Sequence, residues 1–165
     1  MRPVGSYTRV MRDLPEQGFR GPQVCTIVGI TYRQLDYWTR TGLVRPSVAE
    51  ANGSGTQRRY SFGDLVELKV IKQMLDAGIE LRSARKAIES LRAYDKDLAS
   101  ARIVIDGSSV MLAESDDQVI DLMRRGQGVL SVVAIEPLEA TVTAAVRSVS
   151  ETAADSAAAP RTAAR

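Results

Sequence analysis

The chain contains no histidine and a single cysteine, Cys25. The first absence removes His-dependent triads and the usual zinc ligand sets, and the second leaves no intramolecular disulfide. Aromatic residues are scarce, with five tyrosines, two phenylalanines and one tryptophan among 165 residues. No apolar run approaches the roughly 20 residues of a spanning helix, and "MRPVGSYTRVMRDLPEQGFR" lacks the apolar stretch of a secretory signal. The expected location is therefore the cytoplasm, with no membrane partner. Gly126-Gln127-Gly128 is too short for a phosphate loop, and no base and nucleophile stand at a useful spacing. An enzyme is not expected, and no catalytic, metal or cofactor residue is assigned.

What is present is an ordinary globular composition, 44% hydrophobic and 25% charged, enough for one modest core or two small ones. The net charge of +2 hides a division. Residues 1–92 carry 15 Lys/Arg against 9 Asp/Glu, a balance of +6, and residues 93–165 carry 7 against 11, a balance of −4. A basic first half suits a surface that meets phosphate, and suits an indifferent solvated surface equally well. Residues 1–20 contain Pro3, Gly5, Pro15 and Gly18 without a sustained period, and read as a flexible arm. Residues 150–165, "SETAADSAAAPRTAAR", read as a disordered Ala-rich tail. The pattern changes from helical to strand-like near "AYDKDLAS", residues 93–100, which is taken as the domain boundary.

The stretch "GITYRQLDYWTRTGLVRP", residues 29–46, gathers Tyr32, Tyr37 and Trp38 within seven residues. Thr31 and Gln34 have the spacing of a capping box, in which the hydroxyl accepts from an early backbone N–H and the glutamine reaches back. A helix is predicted to start there. Leu35 and Trp38 point one way with Ile30, whereas Arg33, Tyr37 and Arg40, at i, i+4 and i+7, share another face. Gly42 ends the helix and Pro46 prevents its resumption. Upstream, "GPQVCTIVG" places Pro22 in a first turn and Val24, Ile27 and Val28 on a buried side, so a second short helix ends at Gly29. Two short helices joined by a glycine turn make a helix-turn-helix, whose second helix enters the DNA major groove. There an arginine reaches guanine edges and a tyrosine reaches phosphate or sugar. Leu35 and Trp38 are assigned to packing alone. Arg33, Tyr37 and Arg40 also fit a plain solvated face, so this stretch alone leaves both readings open.

The following segment, "SVAEANGSGTQRRYSFGDL", adds a second feature. Asn52, Gly53, Ser54 and Gly55 form the tip of a two-strand hairpin, and Arg58, Arg59 and Tyr60 lie on its return strand. A basic wing beside a reading helix supplies a further phosphate contact on the same duplex face. Ser61, with Asp64 three residues on, then caps a helix carrying Leu65, Leu68, Ile71, Met74 and Leu75, closed by Gly78. A further helix from about Leu81 presents Leu81, Ala84, Ile88 and Leu91, with Arg82, Arg85 and Lys86 on the other side.

In this order, "TYRQLDYWTRTGLVRPS", the wing and "RRYSFGDLVELKVIKQMLDAGIELRSARKAI" resemble the N-terminal DNA-binding domain of MerR-family transcription regulators. The resemblance spans residues 21–92. It is nearest the actinobacterial branch, whose helix reads "GITYRQLDYW" and whose C-terminal part holds a "GQGV" segment, here Gly126 to Val129. The resemblance implies that Arg33 and Tyr37 contact DNA from the recognition helix and Arg58 from the wing, that Tyr60 supports the wing or meets phosphate, and that Arg40 follows the aromatic pair. The DNA-binding set is Thr31, Tyr32, Arg33, Tyr37, Arg40, Arg58, Arg59 and Tyr60. Trp38 stands where the family has a second tyrosine and Asp36 where an arginine is frequent. The cysteines of family metal sensors are missing, the long ligand-binding domain of drug sensors does not fit this length, and no long dimerising helix is visible.

Beyond residue 100, "ARIVIDG", "SSVMLAE", "SDDQVIDLMRRG" and "GVLSVVAIEP" read as strand, strand, helix and strand. Ile103 and Ile105, then Val110 and Leu112, alternate, while Ser115 caps the helix and Gly126 ends it. Val119, Ile120, Leu122 and Met123 are read as core, and "LEATVTAAVRSV" as a short final helix. The expected fold is mainly α: a winged helix-turn-helix domain over 21–92, followed by a small α+β dimerisation or regulatory module over 101–149. The expected function is a sequence-specific transcription regulator, cytoplasmic and nucleoid-associated, binding an inverted repeat of double-stranded DNA as a homodimer. RNA polymerase is a candidate further partner, and a small-molecule effector stays unassigned. The alternative is a sequence-tolerant architectural or excisionase-like accessory protein.

Overall fold

The computed structural model describes residues 18–51, 53, 56–93, 102–106, 109–113, 115, 117–120, 130–134 and 136–158. The arm over 1–17, the wing-tip residues Asn52, Ser54 and Gly55, the boundary segment 94–100, Leu122, Met123, the GQGV segment and residues 159–165 lie outside them.

The elements run β1 (Phe19–Arg20), α1 (Gly21–Val28), α2 (Tyr32–Arg40), β2 (Arg59–Tyr60), α3 (Phe62–Asp76), α4 (Leu81–Arg92), β3 (Arg102–Asp106), β4 (Ser109–Ala113), β5 (Leu130–Ala134) and α5 (Glu136–Ala158). The caps explain most helix boundaries. Gln34 N–H donates to Thr31 Oγ1 at 3.2 Å, and Thr31 N–H donates to Gln34 Oε1 at 2.9 Å. Ser61 and Asp64 do the same at the start of α3, at 3.2 and 2.9 Å. Gly29, with φ of 79°, ends α1 in the left-handed region that disfavours other residues. Gly42 follows the cap of α2 with φ of 72°, which lets Leu43 N–H turn back to the Trp38 carbonyl at 2.9 Å.

The wing differs from a plain hairpin. Its return strand β2 pairs antiparallel with β1, Phe19 opposite Tyr60 and Arg20 opposite Arg59, while Ala49 bridges Arg59 from the outgoing side. Phe19, expected in the flexible arm, is 3% exposed. The folded domain thus takes in residues 19 and 20, because an aromatic residue before α1 is worth more buried than in water.

In the second half, β4-β3-β5 form an antiparallel sheet, and a helical turn over 117–120 starts beside Ser115, whose Oγ accepts from Gln118 N–H at 3.3 Å. Alternation divides the sheet. Ile103, Ile105 and Val133 join the core of the winged domain, whereas Val104, Ala113 and Val119 form a second small cluster, and Ile120, expected in the core, is exposed instead. The last helix corrects two expectations. It is 23 residues long rather than short, and it continues to Ala158 through a segment expected to be disordered. Alanine is the strongest helix former, and a helix already nucleated by packing propagates through it. Leu138, Val142 and Val146, spaced by four, are buried in the same core as Val24, Leu35, Leu68 and Ile71. The helix α5 packs against α1 and α3, β5 packs against α3, and β4 packs against α4. Among the described residues no helix is long and apolar enough to cross a membrane.

Candidate nucleic-acid interface

The recognition helix α2 is held from behind. Leu35 and Trp38 are 2% and 3% exposed, and they lock the helix on the core so that the opposite face is presented rigidly. On that face Tyr32, Arg33, Tyr37 and Arg40 are all exposed. Arg33 and Tyr37 have no side-chain partner among the described residues. Tyr32 stands in the first turn, its ring against Gly21. A Cβ built there would lie 3.1 Å from Tyr32 Cε2, so the glycine makes room for the aromatic. Thr31 is exposed, and its hydroxyl is occupied by the cap.

Asp36 lies at the centre of the same face. Its Oδ2 forms an ion pair with Arg40 Nε at 2.9 Å, and its Oδ1 accepts from Arg58 Nη1 of the wing at 2.9 Å. The Arg58 hydrogen bond, aided by the charge of Arg40, holds the Asp36 carboxyl below the usual carboxylate range. The same bond holds the Arg58 guanidinium still more firmly in its charged form. The wing arginine expected to reach phosphate is therefore engaged with a carboxylate on the recognition helix.

Of the two roles the resemblance implies for Tyr60, support of the wing or contact with phosphate, its burial at 1% exposure fits the first, the phenol lying beneath the wing. Its hydroxyl is 3.0 Å from Thr39 Oγ1, and burial pushes its pKa up, with the Thr39 hydrogen bond opposing. Arg59 is half-buried, and its backbone N–H donates to the Ala49 carbonyl at 2.8 Å. Arg20, which sequence reasoning assigned to the arm, is exposed beside Arg59 on β1. Between the start of α2 and the wing runs a groove of about 540 Å³ lined by Arg20, Gly21, Tyr32, Asp36 and Arg58.

The C-terminal end of α2 is fixed from α4. Arg85 Nη1 donates to the Thr41 carbonyl at 3.0 Å, and Arg92 Nη2 donates to the Leu43 carbonyl at 2.9 Å while pairing with Glu67 at 2.8 Å. A cation at the last carbonyls of a helix is favourable by dipole as well as by hydrogen bond. Sequence reasoning set Arg85 on the side of α4 away from its core residues, with no link to α2. Among the described residues no group of three or more His, Cys, Asp or Glu could hold a metal ion.

Residues 19–91 match the MerR HTH family of regulatory proteins. The chain carries a MerR-family helix-turn-helix domain. That domain and its sequel are similar to proteins described as uncharacterised HTH-type transcriptional regulators of Mycobacterium bovis and Mycobacterium tuberculosis, each 50% identical over 116 residues. The alignments take in 70% of this chain, and the chain spans about half the length, 52%, of those relatives. The matched stretch is longer than the MerR-type domain itself, so the likeness extends into the α+β region.

Proposed function

We propose that the protein is a sequence-specific transcription regulator that reads an inverted-repeat promoter site as a homodimer. The observation that carries this reading is the pair Arg33 and Tyr37, exposed and unpartnered among the described residues, on a helix whose other side is locked into the core. Inserted in a major groove, Arg33 reaches a base edge, and Arg20, Arg59 and Tyr32 flank the backbone. A single winged module buries only about 600–1,000 Å² on DNA, which favours two copies on one site. The C-terminal module joins the copies in this reading, and its exposed Ile120 and Val132 are apolar surface available for that pairing. RNA polymerase and a cytoplasmic, nucleoid-associated location go with the same reading.

Genome-wide occupancy mapping with the full chain recovers the site, its half-site spacing and its targets together. On that site Arg33→Ala is expected to lose roughly 1–3 kcal/mol, with binding to unrelated duplex nearly unchanged. Equal loss on both DNAs would assign Arg33 to the backbone and replace this reading with a sequence-tolerant, architectural one. Sedimentation of the full chain tests the dimer, and a monomer at micromolar concentration removes it.

A further inference from the structure

Asp36 is an acidic residue on a face expected to meet a polyanion. Unpaired, its carboxylate would repel phosphate, and a half-buried position on that face gives a lone charge no packing reason to be there. Its two partners give a reason. Arg40 belongs to the same helix, one turn on, and Arg58 lies 22 residues away on the wing. The three groups together carry one net positive charge instead of two. Arg58 is also the less exposed cation, its side chain 29% exposed against 65% for Arg40. Thr39 and Tyr60 join the same two elements from inside, so the wing is tied to α2 both in the core and on the DNA-facing side.

We infer that Asp36 is a positioning residue that pins the wing to the recognition helix and withholds Arg58 and Arg40 from phosphate, lowering sequence-independent affinity in favour of discrimination. This rests on the DNA reading proposed above. Non-specific affinity grows with the number of neutralised phosphates, each adding about 0.9 to the slope of log K against log salt, whereas base contacts add little to that slope. A carboxylate that occupies an arginine removes one such contact from every sequence, and the constrained wing leaves discrimination to Arg33 and its neighbours.

The test measures binding of the full chain to a random-sequence duplex, and to the site recovered by occupancy mapping, over a range of salt. Asp36→Asn keeps size and shape, and thermal melting checks that it folds. It is expected to steepen the salt slope on random duplex by about 1, and by about 2 if both arginines are released, with about fivefold tighter non-specific binding. The ratio of specific to non-specific affinity should fall. Adding Arg58→Met to Asp36→Asn should bring the slope back by about 1, and Asp36→Glu, which keeps the charge, should stay near the wild type.

A folded Asp36→Asn with an unchanged slope overturns the inference while leaving the DNA reading intact. So does a loss confined to one base pair of the recovered site at constant slope, which would make Asp36 a direct base contact. Failure of the wild-type chain to bind duplex at any salt overturns the DNA reading, and this inference with it.

Discussion

Tyr60 separates packing from recognition within the wing. Its hydroxyl and Thr39 share a hydrogen bond at 3.0 Å, but Thr39 Oγ1 also donates to the Leu35 carbonyl at 2.8 Å. Tyr60→Phe thus leaves no orphaned hydroxyl and should cost about 0.5–1 kcal/mol, with DNA affinity unchanged. Its pH dependence has a definite sign. Burial raises the folded pKa above the ordinary phenol value of 10.0, so the contribution is whole below that pH and is lost as pH rises through the folded value. Alkaline melting curves should show the wild type losing stability above about pH 10 more steeply than Tyr60→Phe. Parallel alkaline limbs, or a large loss of DNA binding, would return the phenol to the surface.

At the scale of elements, the start of α3 is tied to the loop that leaves α2. Asp64 is buried, and its Oδ2 accepts from Ser61 N–H, from Ser47 N–H and from Ser47 Oγ, at 2.8–2.9 Å. Ser61 Oγ accepts from the Asp64 N–H and lies 2.7 Å from Ser47 Oγ, whereas Asp64 serves three donors across two segments. Ser61→Ala should therefore cost about 1 kcal/mol, as caps do, and Asp64→Ala about 2 kcal/mol because three donors, on half-buried Ser61 and exposed Ser47, lose a charged acceptor. Denaturant titrations of the two variants give the comparison. Equal costs would mean that Ser47 finds another partner and that the network does not hold the loop.

Over the whole molecule, the winged domain and the C-terminal module share one core. Val142 and Ile103 are both 0% exposed and belong to the cluster that contains Leu35 and Trp38. Unfolding should be a single calorimetric transition, and Val142→Ala should lower it as a whole by about 2 kcal/mol. Two separate transitions, with only one moved by the substitution, would show that the module folds by itself. The sheet packs on α4 through β4, and Arg85 and Arg92 of α4 donate to the carbonyls of Thr41, which caps α2, and of Leu43 in the loop that follows.

Sequence alone determined the parts whose information is local. Capping pairs at Thr31 and Gln34 and at Ser61 and Asp64, the glycines at 29 and 42, and the split between Trp38 inside and Arg33 outside were all legible, because each depends on neighbours within about one helical turn. Strand alternation likewise placed Ile103 and Ile105 together. Tertiary structure decided what distant residues do to one another. Arg58 meets Asp36 across 22 residues, Arg85 meets Thr41 across 44 and Arg92 meets Leu43 across 49, separations at which no periodicity constrains a pair. Only the Asp36 and Arg40 half of the central ion pairs, at i and i+4, had a sequence signal. The final helix was underestimated for the same reason: alanine carries little apolar signal of its own, and α1 and α3, which cover Leu138, Val142 and Val146, are supplied by the other end of the chain.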